Sequence, residues 1–226
     1  MKPHFLLLGG TAEAILTAHA LADHYRITYS LAGATQQPRI PKKVTSRVGG
    51  FGGIEGLQNF CAEQQITAIV DCTHPFAATM SRHAVASGLP VLRLERPAWR
   101  RVKGDRWRDV PHVHAAAARL THHDGPIALA LGKGGQALAQ QLGNRAILRR
   151  WSPELTLDDP IAEADWLLRT KARLLVCKNS GGIAFGKLVA ARRLKIPVLM
   201  IQRPKILGGE VFHDVNWLVR TIEHRY

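Results

Sequence analysis

The residues best suited by type to do chemistry lie in glycine-bearing turns. Gly9-Gly10-Thr11 closes the apolar run Phe5–Leu8. Two glycines let the backbone come close to a ligand, and Thr11 can cap a following helix whose amino end favours anions. The spacing is not GxGxxG, so a nucleotide turn and a plain capped turn both fit. Gly49-Gly50-Phe51-Gly52-Gly53 sets four glycines around one aromatic residue. That arrangement carries a backbone-entropy cost a mere connector need not accept. A loop whose amides approach a pyrophosphate or nicotinamide would account for it, and a tight structural turn is the alternative. Thr73-His74-Pro75-Phe76 holds a histidine that could donate a proton or a hydrogen bond to a ligand, or bond only within its own turn.

The second half offers different turns. Gly132-Lys133-Gly134-Gly135 and Lys178-Asn179-Ser180-Gly181-Gly182 place lysines among glycines, a chemistry suited to carboxylates. The asymmetry points to a cofactor on the first half and an anionic substrate on the second. The run Ile27–Leu31, continuing into Ala32-Gly33, ends without Asp or Glu, where NAD-selective folds hold the ribose diol. Hydroxyls at Thr28 and Ser30, with Arg39, Lys42 and Lys43 downstream, suit a 2′-phosphate better, which favours NADP.

These turns need strands and helices to present them. Strand-like runs are Phe5–Leu8, Arg26–Leu31, Val44–Val48, Ile66–Cys72 and Val91–Leu94, then Ile127–Leu131, Ala146–Arg150, Leu174–Cys177 and Val198–Gln202. Helical patterns lie between them, among them Ala12–Ala22, Ile54–Gln64, Phe76–Ser87, Pro160–Thr170 and Gly182–Leu194, with Asp214–Arg225 as a closing helix. Residues 88–97 (GLPVLRLERP) and 195–204 (KIPVLMIQRP) share the pattern x-[LI]-P-V-L-x-[LI]-x-R-P. Each follows a strand, a polar turn and a helix in the same order, so a strand–turn–helix–strand unit occurs twice. The expectation is α/β: two Rossmann-like domains with mainly parallel sheets and a cleft between them, spanning 1–97 and 98–226. Pro97–Pro111 reads as the connector.

Composition bounds the partners. The 226 residues carry 31 Lys+Arg against 17 Asp+Glu, a formal charge of +14, which attracts polyanions. The stretch from Arg93 to Arg108, with Trp99 and Trp107, could serve nucleic acid or be a solvated connector. A basic nucleic-acid-binding α/β protein and a nucleotide or sugar transferase on a similar double fold are therefore alternatives. No apolar run is long enough for a membrane span, and Gly9-Gly10 interrupts the early one, so neither leader nor anchor is expected. Three dispersed cysteines without CxxC spacing suggest packing in a reducing, cytoplasmic compartment, and no metal site is expected.

The stations LLLGGTAEA, SLAG, VGGFGG, DCTHPFA, LRLERPAW, KNSGG and KIPVLMIQRP, in order from residue 6 to residue 204, closely resemble the precorrin-6A reductases of corrin biosynthesis. GGFGG followed by THPFA is the specific part. The resemblance implies reduction of one double bond of a polycarboxylate tetrapyrrole, precorrin-6A or its cobalt form, to precorrin-6B with hydride from a nicotinamide cofactor, NADPH by the reading of the second strand above. It implies cofactor contacts at Gly9, Gly10, Thr11, Ser30, Ala32, Gly33, Gly50, Phe51, Gly52, Gly53, Thr73, His74, Pro75 and Phe76. It implies substrate contacts at Lys133, Gly134, Lys178, Asn179, Ser180, Gly181 and Gly182, with His74 and Lys178 as candidates for orienting or proton-donating roles. Ala34 stands where the family often has an arginine, so Arg39 or a nearby lysine would have to meet a 2′-phosphate, and NADH stays an alternative. The tetrapyrrole's acetate and propionate fringe matches the basic charge of the chain.

Overall fold

The structure is a computed structural model and describes residues 2–33, 39–149 and 159–226, apart from the Lys133 side chain. Ala34 and the Arg150 end of the expected strand Ala146–Arg150 lie outside the described residues. Two units divide the chain: Met1–Arg96 with Lys205–Tyr226, and Pro97–Pro204.

The first unit begins β1 (His4–Leu8), α1 (Ala12–Leu21), β2 (Arg26–Leu31), β3 (Thr45–Val48), α2 (Ile54–Glu63), β4 (Ala68–Asp71), α3 (Ala78–Ala86) and β5 (Val91–Leu94). Every residue of β1 is buried, because helices cover both faces of a parallel sheet and the strand reads as an unbroken apolar run. His4 fits there because Nε2 meets Thr28 Oγ1 at 2.9 Å and Nδ1 meets the Gln64 carbonyl at 2.8 Å. Thr11 starts α1 by accepting the Ala14 N–H.

The second unit contains β6 (Trp107–Val110), α4 (Val113–Leu120), β7 (Ile127–Ala130), a 3-10 turn (Gly132–Gly135), α5 (Gln136–Leu142), β8 (Ala146–Leu148), α6 (Pro160–Arg169), β9 (Leu174–Lys178), α7 (Gly186–Arg193) and β10 (Val198–Ile201). Asp159 caps α6 through the Ile161 and Ala162 amides, with Pro160 in the first turn. The chain then returns to the first unit with β11 (Glu210–Phe212) and α8 (Val215–Arg225).

The sheet orders are β11-β5-β4-β1-β2-β3 and β6-β10-β9-β7-β8, and all the pairings are parallel. The repeat seen in the sequence has a structural counterpart. β5 and β10, which begin at the Val-Leu after each repeated proline, each lie between the strand preceding the repeat helix and a short edge strand. The two Rossmann-like halves are present, but the expected boundary at 98–226 is corrected: residues 205–226 complete the first sheet and its core. Phe212, Leu218 and Ile222 are fully buried with Phe5, Leu7 and Val70, so the return is fastened by apolar packing. Pro97–Pro111 is not wholly connector either, because Trp107–Val110 pairs with β10 as an edge strand. The fully buried Asp105 carboxylate, 2.7 Å from Arg192 Nε, fixes its approach.

Both repeat helices begin later than expected, at Ala78 and Gly186. The turns before them are accordingly longer loops. The three cysteines are buried, and burial pushes the Cys61 and Cys177 thiols up to about 11 and about 12, which keeps them inert. Among the described residues no helix is long and apolar enough to cross a membrane, and no three His, Cys, Asp or Glu side chains converge as a metal site would require.

Candidate functional site

In parallel α/β sheets the carboxyl ends of the strands share one edge, where ligands bind. In the first unit, the ends of β1, β2, β3 and β4 surround a cavity of about 290 Å³. Its walls are Gly9 and Gly10 after β1, Ser30 to Gly33 at the end of β2, Gly49 to Phe51 after β3, and Thr73 and His74 after β4. Four stretches singled out from sequence thus meet at one place. Leu8, Ala77 and Met80, none of them a candidate from sequence, complete the wall. Thr11, Gly52, Gly53, Pro75 and Phe76 do not line it.

Packing explains several of these residue types. Any side chain on Gly9 would run into the Tyr29 ring, so this glycine admits the tyrosine beneath the turn. Gly50 is different. It lines the cavity, its φ is not one that demands glycine, and a Cβ built there meets no atom within 4 Å. Protein packing therefore does not account for the missing side chain, whereas a ligand against that backbone would. Thr11 is committed to the fold: its hydroxyl donates to the Cys72 carbonyl at 2.8 Å and accepts the Ala14 N–H at 3.1 Å, tying α1 to the end of β4.

The histidine turn is held from below. Buried Asp71 accepts both the Thr73 N–H, at 3.0 Å, and the Thr73 hydroxyl, at 2.7 Å. Arg93 lies 3.9 Å from Asp71 and 3.6 Å from Glu95, and donates to the carbonyls of Ile206 and Gly208 in the returning segment. His74 Nδ1 accepts the Phe76 N–H at 3.2 Å, so the neutral ring carries its proton on Nε2. The histidine is thus a donor on its other edge.

Arg47 was missed. It stands beside Ser30 in the register of β2 and β3, donates to Ser30 Oγ at 2.9 Å and to the carbonyls of Gly49 and Gly50, and lies 3.9 Å from the centre of the Phe51 ring. The basic residues favoured from sequence are placed otherwise: Lys43 pairs with Asp23 at 2.7 Å, and Arg39 and Lys42 are exposed. Thr28 is buried, with its hydroxyl 2.9 Å from His4 Nε2, and does not line the cavity.

In the second unit the two lysine–glycine turns follow the adjacent strands β7 and β9. They meet at Gly134, where a Cβ would stand 3.4 Å from Lys178 Nζ. Lys178 is half-buried, and burial lowers its pKa. Asn179 is buried, and its carboxamide bridges the Trp99 backbone, accepting the N–H at 2.8 Å and donating to the carbonyl at 3.2 Å. Arg203 donates to the Asn179 and Ser180 carbonyls. A side chain on Gly181 would strike the Pro97 carbonyl. Asn179 and Gly181 therefore shape this turn, while Lys178 is the member whose chemistry suits a carboxylate. The Lys133 side chain lies outside the described residues.

Part of the basic stretch is engaged within the fold, while Arg100, Lys103 and Arg108 are exposed. Arg93 and Arg96 pair with carboxylates, Arg96 at 3.2 Å from Glu13, and Arg101 meets Asp109. Trp107 is buried in the second core.

A family model described as precorrin-6x reductase CbiJ/CobK matches residues 4–162 and 157–223. The chain belongs to the precorrin-6x reductase family. A precorrin-6A reductase of Sinorhizobium sp is 39% identical over 226 residues, covering 90% of this chain and 86% of that protein. One from Rhodobacter capsulatus is 36% identical, covering 91% and 90%. A cobalt-precorrin-6A reductase of Priestia megaterium is 27% identical, covering 96% and 97%. The solved structure of a CobK precorrin-6A reductase matches with a TM-score of 0.83 at 30% identity, over 98% of this chain and 96% of that one. As a precorrin-6x reductase the chain is an oxidoreductase, and the two-sheet architecture is that of the family.

Proposed function

We propose that the protein reduces one C=C bond of precorrin-6A, giving precorrin-6B in cobalamin biosynthesis, with NADPH as the hydride source and NADH as the alternative donor. The carrying observation is the convergence of four glycine-bearing or polar turns on one cavity at the strand ends of the first unit, in a chain of this family. Gly50, open toward a ligand without a packing reason, fits a nucleotide lying on the backbone. The higher identity to precorrin-6A reductases, 39% and 36%, than to the cobalt-precorrin relative, 27%, favours a cobalt-free macrocycle.

The bound nicotinamide supplies a hydride, and a proton from the protein or solvent completes the addition across the double bond. The chain's own residues bind and orient. Gly9, Gly10, Gly50 and the Ser30–Gly33 turn hold the dinucleotide. Asp71 keeps the Thr73-His74 turn in place, so that His74 Nε2–H can hold a hydrogen bond or deliver a proton at the cavity wall. Lys178, in its lysine–glycine turn, takes a carboxylate of the tetrapyrrole.

The test is a coupled absorbance assay. Purified protein is mixed with NADPH or NADH, with and without precorrin-6A, while cofactor and macrocycle are followed together. The expected outcome is cofactor oxidation only when the tetrapyrrole is present. Oxidation without it, or no turnover with either cofactor, overturns the reading.

A further inference from the structure

The notable charge in the first unit is Arg47. Its guanidinium donates three hydrogen bonds, to Ser30 Oγ and to the carbonyls of Gly49 and Gly50; all three acceptors are neutral oxygens. Among the described residues it forms no ion pair, whereas Arg93, Arg96, Arg101, Arg149 and Arg192 each meet a carboxylate within 4.0 Å. The rings of Phe51 and Phe60 lie 3.9 and 5.1 Å from its carbon centre, and partial burial lowers its pKa without an anion to offset it. A planar cation pre-set on an aromatic face, with its fork fixed and no counter-charge, is built to receive an anion.

Its position names the anion. All three acceptors belong to residues that line the cavity. Ser30 is next to the last residue of β2, the strand end at which a dinucleotide-binding sheet reads the 2′ position of the adenosine ribose. Ser30 and Arg47 are register partners on neighbouring parallel strands. We propose that Arg47, seated on Ser30 and stacked on Phe51, recognises the 2′-phosphate that distinguishes NADP from NAD. This rests on the nucleotide reading of the cavity and replaces Arg39, Lys42 and Lys43 as the source of that contact.

The experiment is calorimetric titration of the full chain with two probes, adenosine 2′,5′-bisphosphate and 5′-AMP, so that the readout is binding and not turnover. The wild type is expected to bind the bisphosphate at least about tenfold more tightly than AMP. Arg47→Met is expected to remove that preference while leaving the AMP affinity within about twofold. Arg47→Lys, which keeps a charge but loses the fork and the stack, should retain only part of the preference, and it carries the test if Arg47→Met does not fold. Arg39→Ala and Lys42→Ala should leave the preference intact. Equal loss of both probes in the Arg47 variants makes the residue a brace for the glycine loop and overturns the assignment, as does loss of the preference in Arg39→Ala or Lys42→Ala. A wild type that binds AMP without preferring the bisphosphate overturns the assignment but leaves the nucleotide site standing. A wild type that binds neither probe overturns both.

Discussion

Lys178, proposed to hold a carboxylate of the tetrapyrrole, gives a test at the scale of one side chain. A half-buried ammonium in a glycine-rich turn has few competing solvent contacts, and a charge-assisted hydrogen bond to a carboxylate is worth about 1.5–3 kcal/mol. Lys178→Ala is expected to raise KM for the tetrapyrrole about tenfold or more while leaving dinucleotide affinity unchanged; equal loss of both would mean that the second unit has been misassigned. The pH dependence follows from the sign of the shift. Burial lowers the lysine's pKa, the charged form binds the carboxylate, and macrocycle affinity therefore falls as pH rises through that lowered value. Lys178→Arg, whose charge persists, should move the alkaline fall upward in a titration of macrocycle affinity against pH. Residue type and turn context make Lys178 and His74 candidates from sequence alone, and the structure places His74 on the cavity wall and Lys178 beside Gly134. Arg47 was illegible because nothing in Thr45-Ser46-Arg47-Val48 separates it from other basic residues. Only the strand register places it on Ser30, and only the loop that follows brings Phe51 under it. Asn179 shows the reverse case: its type fits a ligand contact, yet its carboxamide is occupied by the Trp99 backbone, a pairing across 80 residues of sequence.

Among the elements, the central strands and the edges β3 and β8 were legible, and the other two edge strands, β6 and β11, were not, for a physical reason. β1, β9 and β10 are covered on both faces and each shows an apolar run of four residues, while β4 and β5 are fully buried with one charge apiece, Asp71 and Arg93, facing each other at 3.9 Å. β6 is Trp-Arg-Asp-Val, with its middle pair exposed, and β11 is three residues long. An edge strand needs only one good partner and carries little pattern of its own. Missing β11 is also what misplaced the boundary, since the closing helix was read correctly but credited to the wrong unit. The importance of this return lies in Phe212, fully buried in the first core and packed 4.9 Å from the Trp217 ring. Phe212→Ala is expected to cost about 3–5 kcal/mol, measured by urea unfolding. Arg93, which donates to Ile206 and Gly208 and pairs with Asp71, carries the same segment's influence to the histidine turn. Dinucleotide affinity should therefore weaken in the variant under conditions where it remains folded. A loss below about 0.5 kcal/mol, the level of an ordinary surface change, would show that the return is not an integral part of the unit.

At the scale of the whole molecule, two units have separate apolar cores, and the proposed division of labour gives each its own ligand. The excess of basic residues, 31 against 17, makes the surface attractive to any polyanion and so cannot by itself say which unit binds what. Linkage can. A ligand that binds a folded unit stabilises it by about 2.7 kcal/mol when present at a hundred times its Kd. That gain is read by the backbone amides whose exchange requires the unit to open. With NADP added, exchange in β1, β2 and β4 should slow by up to about a hundredfold, and the glycine turns after β1 and β3 should slow with them. The diagnostic strand is β11. It follows the whole second unit in sequence but pairs with β5, so its amides should be protected together with those of β1, while β7, β9 and β10 exchange as before. A polycarboxylate tetrapyrrole should give the complementary pattern, centred on the Lys178–Gly182 turn. Protection of that turn by NADP alone, with β1 and β11 unchanged, would place the cofactor on the second unit and reverse the assignment.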